Sequence, residues 1–421
     1  MRSLGGRSWW NSQRPLRAAA PAPAPSPAAK RPPPVPFAND CYDMAVNIPR
    51  IALAGPLFVV LALLAASCGG IANPQGWAEP TVAGDIAYIF RSKDKLSAVE
   101  LREDGSTQVL WTFPNEDISN QKDLKLEAVY GKPVVKGESL YFATHNGQVF
   151  ALRARDGDLL WVADDFNGSI VGGPTLAGGK LFFGTTEGYV YALDAESGGS
   201  GQGWPDRGIR FSAKGVWAAP AASEDGSTIF IATMGGEVYA LSADDGSELW
   251  DQPFKISGAI ADLTLLDAEH LFVPSLNKQV YIVNTSDGQA PLGSFRADHW
   301  VWTAPAFKDN VAYFGDFSGK VYALDITTLQ PKWTFQADEK VKSGPAIVQD
   351  ALVVADRSPI VYMLRLENGA VINQVPILDS GTIRADLAPL ETTALIITTK
   401  GQLFLADPGE KKVPGLELGG N

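Results

Sequence analysis

The side chains of this chain that could bind a metal or perform catalysis are few and scattered. There are three histidines, and His145 in "ATHNGQV" lies more than a hundred residues from His270 and from His299 in "ADHWVWTAP". A zinc site requires several ligands supported by hydrogen-bond partners. The sequence contains neither a Gly-x-x-x-x-Gly-Lys-Ser/Thr loop nor a Gly-x-Ser-x-Gly nucleophile motif. We therefore predict no metal site and exclude P-loop and serine hydrolase chemistry.

Carboxylates are the remaining candidates for acid–base chemistry. Asp298 and Asp316 are the two considered as a catalytic base, in a chain with 47 acidic residues. Because most acidic side chains of soluble domains are exposed, we interpret both as solvated loop carboxylates.

Aromatic residues recur at one position of the sequence. Trp77, Trp217 and Trp302 each stand three residues before a proline, in "WAEPTV", "WAAPAA" and "WTAPAF". Tyr130 in "YGKPVV" and Arg384 in "RADLAP" occupy related positions. Equal spacing within a repeat predicts that these side chains lie at one level, around the mouth of a channel. Two interpretations stay open: a recognition surface, as aromatic enrichment favours, or a plug of the channel.

The elements that position these residues belong to a repeat. The phrase "YVYALD" at Tyr189 returns with small changes, and its copies align on the residues Leu96, Val149, Val190, Val238, Val280, Val321, Val361 and Leu403. The copies are 40 to 53 residues apart, rich in Val, Tyr and Phe, and interrupted by Gly and Pro. Each phrase is apolar on both faces, which is typical of a strand whose sheet is covered on both sides. The sequence predicts an all-β protein, an eight-bladed β-propeller of four-stranded antiparallel blades, with seven blades as the alternative.

Tryptophan closes several copies in a fixed context. The pattern Ala-x-Asp-x-x-x-Gly followed by Trp, or a close variant of it, ends at Trp161, Trp204, Trp250 and Trp333. It resembles the tryptophan-docking repeat of pyrroloquinoline-quinone (PQQ) propellers over about residues 76–413. The resemblance implies that these indoles lie between blades and that the Gly allows the turn that delivers them. Copies one, five, seven and eight are degenerate in this pattern.

Dehydrogenases of the PQQ class would bring a cofactor with them. The resemblance implies PQQ, Ca²⁺, a carboxylate base and commonly a disulfide of adjacent cysteines. This chain has only Cys41 and Cys68, with no Cys-Cys pair and no Cys-x-x-Cys-His haem motif. We expect no cofactor, and PQQ with Ca²⁺ only under the enzymatic alternative.

The N-terminal part divides into short segments. Residues 1–43 are rich in Pro and Ala and predict a disordered extension upstream of the true start at Met44. Residues 44–67 predict a signal peptide, because the apolar run Ile51–Ala66 has 16 residues, fewer than a membrane span needs. Ala66-Ser67-Cys68 resembles a bacterial lipobox and predicts lipidation of Cys68. An ordinary signal peptide or an uncleaved anchor are the alternatives. Residues 68–75 are then a tether and 414–421 a C-terminal tail.

Charge and anchor together suggest a function class. A formal net charge of −12 disfavours nucleic-acid binding, since phosphate would be repelled. A cofactor-free, lipid-anchored propeller resembles the BamB family of outer-membrane protein assembly lipoproteins. That resemblance implies a non-enzymatic, extracytoplasmic, monomeric scaffold that binds other envelope proteins. A PQQ-dependent oxidoreductase and a sensor or glycan-binding propeller remain the alternatives.

Overall fold

The computed structural model describes residues 76–91, 95–102, 104–377 and 381–418. These residues all belong to one compact unit, Cys68–Asn421. The predicted signal peptide, Cys68 and the tether lie outside the described residues. No helix within the described ranges is long and apolar enough to span a membrane.

The described residues form 32 strands in eight four-stranded antiparallel sheets, arranged as the eight blades of a β-propeller. Eight blades are confirmed, including the weak first copy. Blades 1 to 4 consist of β1 (Thr81–Ala83), β2 (Ile86–Arg91), β3 (Lys95–Leu101) and β4 (Thr107–Phe113); β5 (Val134–Lys136), β6 (Ser139–Ala143), β7 (Val149–Arg153) and β8 (Leu159–Ala163); β9 (Thr175–Ala177), β10 (Lys180–Gly184), β11 (Tyr189–Asp194) and β12 (Ile209–Arg210); β13 (Ala221–Ala222), β14 (Thr228–Ala232), β15 (Glu237–Ser242) and β16 (Phe254–Lys255).

The second half repeats this plan. Blades 5 to 8 consist of β17 (Thr264–Leu265), β18 (His270–Pro274), β19 (Gln279–Asn284) and β20 (Ser294–Arg296); β21 (Ala306–Lys308), β22 (Val311–Gly315), β23 (Lys320–Asp325) and β24 (Gln330–Gln336); β25 (Ala346–Val348), β26 (Ala351–Ala355), β27 (Ile360–Arg365) and β28 (Val371–Pro376); β29 (Ala388–Pro389), β30 (Ala394–Ile397), β31 (Leu403–Ala406) and β32 (Gly415–Leu416). Within every blade the strands pair in chain order.

The hydrophobic core lies between neighbouring blades. Phe182 and Val190 of blade 3, for example, pack in one cluster with Ile229 and Leu241 of blade 4. The four central residues of β11, from Val190 to Leu193, are all buried. Third strands are therefore apolar on both faces because each blade is covered by a blade on either side.

The ring closes by packing between blade 8 and blade 1. Leu395 and Leu403 of blade 8 join Ala87 and Ile89 of blade 1 in one buried cluster. The hydroxyl of Thr107 donates to the carbonyl oxygen of Glu417 at 2.6 Å. The residues expected to form a tail from 414 onward instead supply β32, the outer strand of blade 8. The sequence missed this strand because two residues are too short for a hydrophobic pattern.

Candidate functional site: the channel mouth

The closing tryptophans join each blade to the next one along the chain. The indole N–H of Trp250 in blade 4 donates to the carbonyl oxygen of Thr285 in blade 5 at 2.8 Å. Trp161, Trp204 and Trp333 donate in the same way, to the carbonyl oxygens of Ala195, Ala243 and Leu366 at 3.2, 3.0 and 2.8 Å. These four indoles therefore lie between blades.

The glycine of the pattern has a different role from the expected one. A Cβ placed on Gly288 would lie 2.7 Å from a ring carbon of Trp250, which belongs to the preceding blade. Gly198 and Gly369 stand in the same relation to Trp161 and Trp333. Each glycine thus seats the tryptophan of the blade before it, rather than only delivering the tryptophan of its own blade.

Two further details differ from the sequence reading. Trp111 of blade 1 also docks, donating to the carbonyl oxygen of Ala154 at 3.0 Å, although copy one was read as degenerate. Its distance from Leu96, 15 residues, is close to the 14 that separate Val190 from Trp204, and this spacing could have revealed it. Trp204 does not end the fourth strand of its blade, because β12 begins only at Ile209.

The mouth is built from the segments that lead into the inner strands. In every blade the residue four positions before the inner strand occupies the same register, and these residues are Trp77, Tyr130, Val171, Trp217, Ile260, Trp302, Lys342 and Arg384. Hairpin tips between the second and third strands lie beside these lead segments, because the tip backbone bonds to them. The backbone N–H of His145 donates to the carbonyl oxygen of Ala128 at 2.8 Å, and that of Phe317 donates to Trp300 at 3.0 Å.

One group of mouth residues spans blades 8, 1 and 2. The rings of Trp77 and Tyr130 are 4.5 Å apart between centroids, and Tyr130 lies 5.4 Å from the ring of His145. The guanidinium carbon of Arg384 lies 5.2 Å from the centroid of Trp77. The structure therefore brings together three of the five predicted mouth residues, and all three are partly exposed.

A second group surrounds Phe317 in blade 6. Trp302 and Trp300 lie 6.4 and 6.1 Å from the Phe317 ring, and His299 stacks against it at 6.2 Å. The amine of Lys342 lies 5.3 Å from the centroid of Phe317. Sequence reasoning found Trp302 but missed Phe317, whose place at a hairpin tip was the available signal. The remaining predicted residue, Trp217, lies over Gly215 in blade 4 and is also partly exposed.

Charged residues form a ring one level deeper. Two positions before the inner strand, four blades carry Gly or Ala and the others carry Glu79, Lys132, Asp262 and Asp386. Lys132 donates to Glu79 at 2.5 Å, and the backbone N–H of Gly344 donates to Asp386. The backbone N–H of Leu263 donates to Asp262 at 2.7 Å. These carboxylates come from blades 1, 5 and 8, so they meet only around the channel.

Their surroundings favour the protonated acids. Burial raises the pKa of Asp262 to about 6, and the nearby Glu79 adds to the effect. Burial, followed by the charges of Glu79 and Asp262, raises the pKa of Asp386 well above its ordinary value. The pKa of Glu79 is also raised by burial, against the opposing effect of Lys132. Carboxylates that share a confined space cannot all be ionised without cost.

Asp316 is not a solvated loop carboxylate, contrary to expectation. It is fully buried, and its oxygens accept hydrogen bonds from the Ser318 hydroxyl and from the Tyr322 hydroxyl at 2.9 Å. The backbone N–H groups of His299, Ser318 and Lys320 also donate to it. Asp356 repeats this arrangement in blade 7. Asp316 therefore closes a hairpin, and every acceptor direction that a base would use is occupied.

The other candidates for chemistry do not form a metal centre. Asp298 is exposed and pairs with Lys320 at 3.0 Å. Burial lowers the pKa of His299, which keeps its imidazole neutral at pH 7. Within residues 76–91, 95–102, 104–377 and 381–418, no group of three His, Cys, Asp or Glu side chains is placed to hold a metal ion.

Eight four-stranded blades joined by indole-to-carbonyl hydrogen bonds define a β-propeller of the PQQ-repeat class. The chain belongs to the family described as outer membrane protein assembly factor BamB, whose model matches residues 72–202, 201–291 and 255–405. None of the curated proteins matches the sequence.

Solved structures with similar folds include binding proteins and enzymes. BamB from Moraxella catarrhalis is 19% identical with a TM-score of 0.60, covering 78% of this chain and 93% of that one. A europium-containing methanol dehydrogenase is 13% identical, with a TM-score of 0.58 and coverage of 78% and 81%. Quinohemoprotein alcohol dehydrogenase from Comamonas testosteroni is 13% identical, with a TM-score of 0.59 and coverage of 79% and 71%. At these identities the likeness extends to the fold alone.

Proposed function

We propose that this protein is a non-catalytic, lipid-anchored scaffold of the cell envelope that binds other envelope proteins during outer-membrane protein assembly. Membership of the BamB family supports the assembly role. The single observation that carries the binding role is the composition of the mouth, where Trp77, Trp217 and Trp302 remain partly exposed. Tryptophan offers a large apolar area and one N–H donor, and it is enriched at binding hot spots.

The proposal includes the absence of a cofactor and of an enzymatic activity. The three channel carboxylates are engaged by Lys132 and by two backbone N–H groups, as structural carboxylates are. Asp316 is fully used within its hairpin. These contacts favour a binding protein over a PQQ-dependent oxidoreductase, although the fold is shared with such enzymes.

The first test removes aromatic area from the mouth. A Trp217→Ala, Trp302→Ala double variant should fold with little change in melting temperature, because both side chains are partly exposed. It should lose the partners that the wild-type protein recovers from solubilised membranes, as measured by pull-down and mass spectrometry. Truncation of a hot-spot residue typically costs at least 2 kcal/mol of binding free energy.

The control removes apolar area elsewhere. Leu160 and Leu249, on the outer edges of blades 2 and 4, are 43% and 51% exposed. A Leu160→Ala, Leu249→Ala variant should keep the same partners. A mouth variant that unfolds far below the wild type would show that the tryptophans are a plug. A folded mouth variant that keeps its partners would move recognition to another surface, and recovery of glycans alone would favour the glycan-binding alternative.

The membrane anchor is tested by mass. We expect the native protein to begin at Cys68 and to carry acyl chains there, because the lipobox-like Ala66-Ser67-Cys68 follows a short apolar run. Intact-mass analysis of protein extracted from membranes measures both properties. A mature chain that starts at another residue, or one without added acyl mass, contradicts the anchor. A Cys68→Ala variant should be released from the membrane fraction.

A further inference from the structure

The mouth is apolar over most of its circumference and basic over two blades. In blades 1 to 6 the residue four positions before the inner strand is aromatic or aliphatic, whereas blades 7 and 8 carry Lys342 and Arg384. The neighbouring hairpin tip of blade 7 adds Arg357, whose backbone N–H donates to the carbonyl oxygen of Lys340 at 2.9 Å. Lys400 lies at the tip of blade 8. We call these five residues the basic sector.

The basic sector is bounded by aromatic groups on both sides. Lys342 lies 5.3 Å from the ring centroid of Phe317 in blade 6, and Arg384 lies 5.2 Å from that of Trp77 in blade 1. Such cation–π contacts hold each cation at a defined place beside an apolar surface. A ligand that covers this part of the mouth therefore meets an apolar group, then two cations, then a second apolar group.

The local charge balance favours an anion although the whole chain is acidic. The segments that hold the five cations also hold Asp338, Glu339, Asp356 and Asp386. Asp356 is buried and accepts from the backbone N–H of Glu339 and from the Tyr362 hydroxyl. Asp386 accepts from the backbone N–H of Gly344. Two of the four carboxylates are thus neutralised in part by the fold, and the basic sector stays positive in a chain of net charge −12.

We propose that this mouth receives an extended peptide segment of a partner protein in which acidic side chains stand between apolar ones. The proposal rests on the scaffold function proposed above and specifies its partner. The acidic side chains lie against Lys342 and Arg384, and the apolar ones against Phe317 on one side and Trp77 on the other. The deeper carboxylates of Glu79 and Asp386 repel anions from the channel, so the segment lies across the mouth without entering it.

The test uses two labelled twelve-residue peptides with the wild-type propeller. Both carry Phe and Val at their ends, and they differ only in a central pair of Asp or of Lys. We expect the Asp peptide to bind, as measured by fluorescence anisotropy, and the Lys peptide to bind at least tenfold more weakly. Raising the salt concentration should weaken the binding of the Asp peptide.

Charge-neutral variants assign the site. Lys342→Gln with Arg384→Gln should weaken the Asp peptide at least tenfold, whereas Lys214→Gln with Lys255→Gln, which removes two exposed cations from blade 4, should leave it unchanged. Circular dichroism melting checks that both variants stay folded. Equal affinity for the two peptides, unchanged binding by the first variant, or binding of an oligouronate with neither peptide bound would overturn the inference.

Failure of this inference can be told apart from failure of the scaffold function. Partners that are retained in pull-down by the Lys342→Gln, Arg384→Gln variant but lost by the Trp217→Ala, Trp302→Ala variant leave the scaffold function standing and contradict the acidic segment. A wild-type protein that recovers no protein partner contradicts the scaffold function itself.

Discussion

Replacing Trp250 by Ala should lower the free energy of unfolding by about 3–5 kcal/mol, as removal of a large buried aromatic side chain does. Trp250 is 6% exposed, packs between blades 4 and 5, and donates its indole N–H to the carbonyl oxygen of Thr285 at 2.8 Å. The substitution leaves a cavity at a blade junction and an acceptor without its donor. Urea unfolding of wild type and variant measures the difference.

A pair of glycines separates packing from backbone strain at the same junction. Gly288 and Gly293 have φ angles of 69° and 77°, but a Cβ on Gly288 would lie 2.7 Å from the Trp250 ring, whereas a Cβ on Gly293 meets no atom within 4 Å. Gly293→Ala should cost about 1–2 kcal/mol for the left-handed conformation alone. Gly288→Ala should cost about 1–3 kcal/mol more, as overpacking typically does. Equal costs for the two, or a Trp250→Ala melting temperature within a degree or two of wild type, would contradict the interblade role.

The second large effect is a stabilisation. Replacing Asp262 and Asp386 by Asn should make the propeller more stable at pH 8 and leave it nearly unchanged at pH 4. Asn keeps an oxygen to accept from the backbone N–H groups of Leu263 and Gly344, while it removes the ionisable groups. The change therefore affects the electrostatic free energy and largely spares the hydrogen bonds.

The sign follows from the direction of the pKa shifts. The folded-state pKa of Asp262 is about 6, above the unfolded value near 3.8. Such a group contributes stability that is complete below pH 4 and is lost as the pH rises through about 6. The two pKa values correspond to at most about 3 kcal/mol, since one unit equals 1.36 kcal/mol, and partial exposure to channel water reduces this to about 1 kcal/mol. Asp386, whose pKa is raised further, extends the loss to higher pH.

A control of opposite sign is available on the surface. Hydrogen bonds from Ser223 and Ser227 lower the pKa of Asp225 to about 2, so its contribution is present above pH 4 and is lost as the pH falls toward 2. Asp225→Asn should therefore weaken the protein at pH 8, while the channel variant strengthens it. Urea midpoints at pH 4, 6 and 8 compare the three proteins. Identical pH dependence of wild type and channel variant would show that Asp262 and Asp386 are fully solvated.

The repeat and its docking residues could be predicted from the sequence because both are local. The alignment on residues such as Val190 and Val238 needs only a count along the chain, and the two-sided apolar pattern of β11 reports burial directly. Trp161, Trp204, Trp250 and Trp333 follow a short pattern, so their place between blades was within reach. The two-residue strands β12 and β32 were not, because their position depends on pairing with a longer neighbour.

The composition of the mouth was only partly within reach. Equal spacing before the inner strands placed Trp77, Tyr130, Trp217, Trp302 and Arg384 at one level. It could not show that Arg384 lies against Trp77, because blade 8 and blade 1 are at opposite ends of the sequence and become neighbours only when the ring closes. Phe317 was missed for a related reason, since a hairpin tip reaches the mouth only through its backbone contact with the lead segment.

The sequence by itself determined an all-β propeller, its eight units, the tryptophans between them and the level of the mouth, because each of these follows from spacing along the chain. Tertiary structure decided which side chains meet. It turned Asp316 from an apparent surface acid into a buried hairpin acceptor, and it gathered Glu79, Asp262 and Asp386 from three separate blades around one channel. Contacts of this kind depend on the curvature that closes eight blades into a ring, and no local pattern of residues records that curvature.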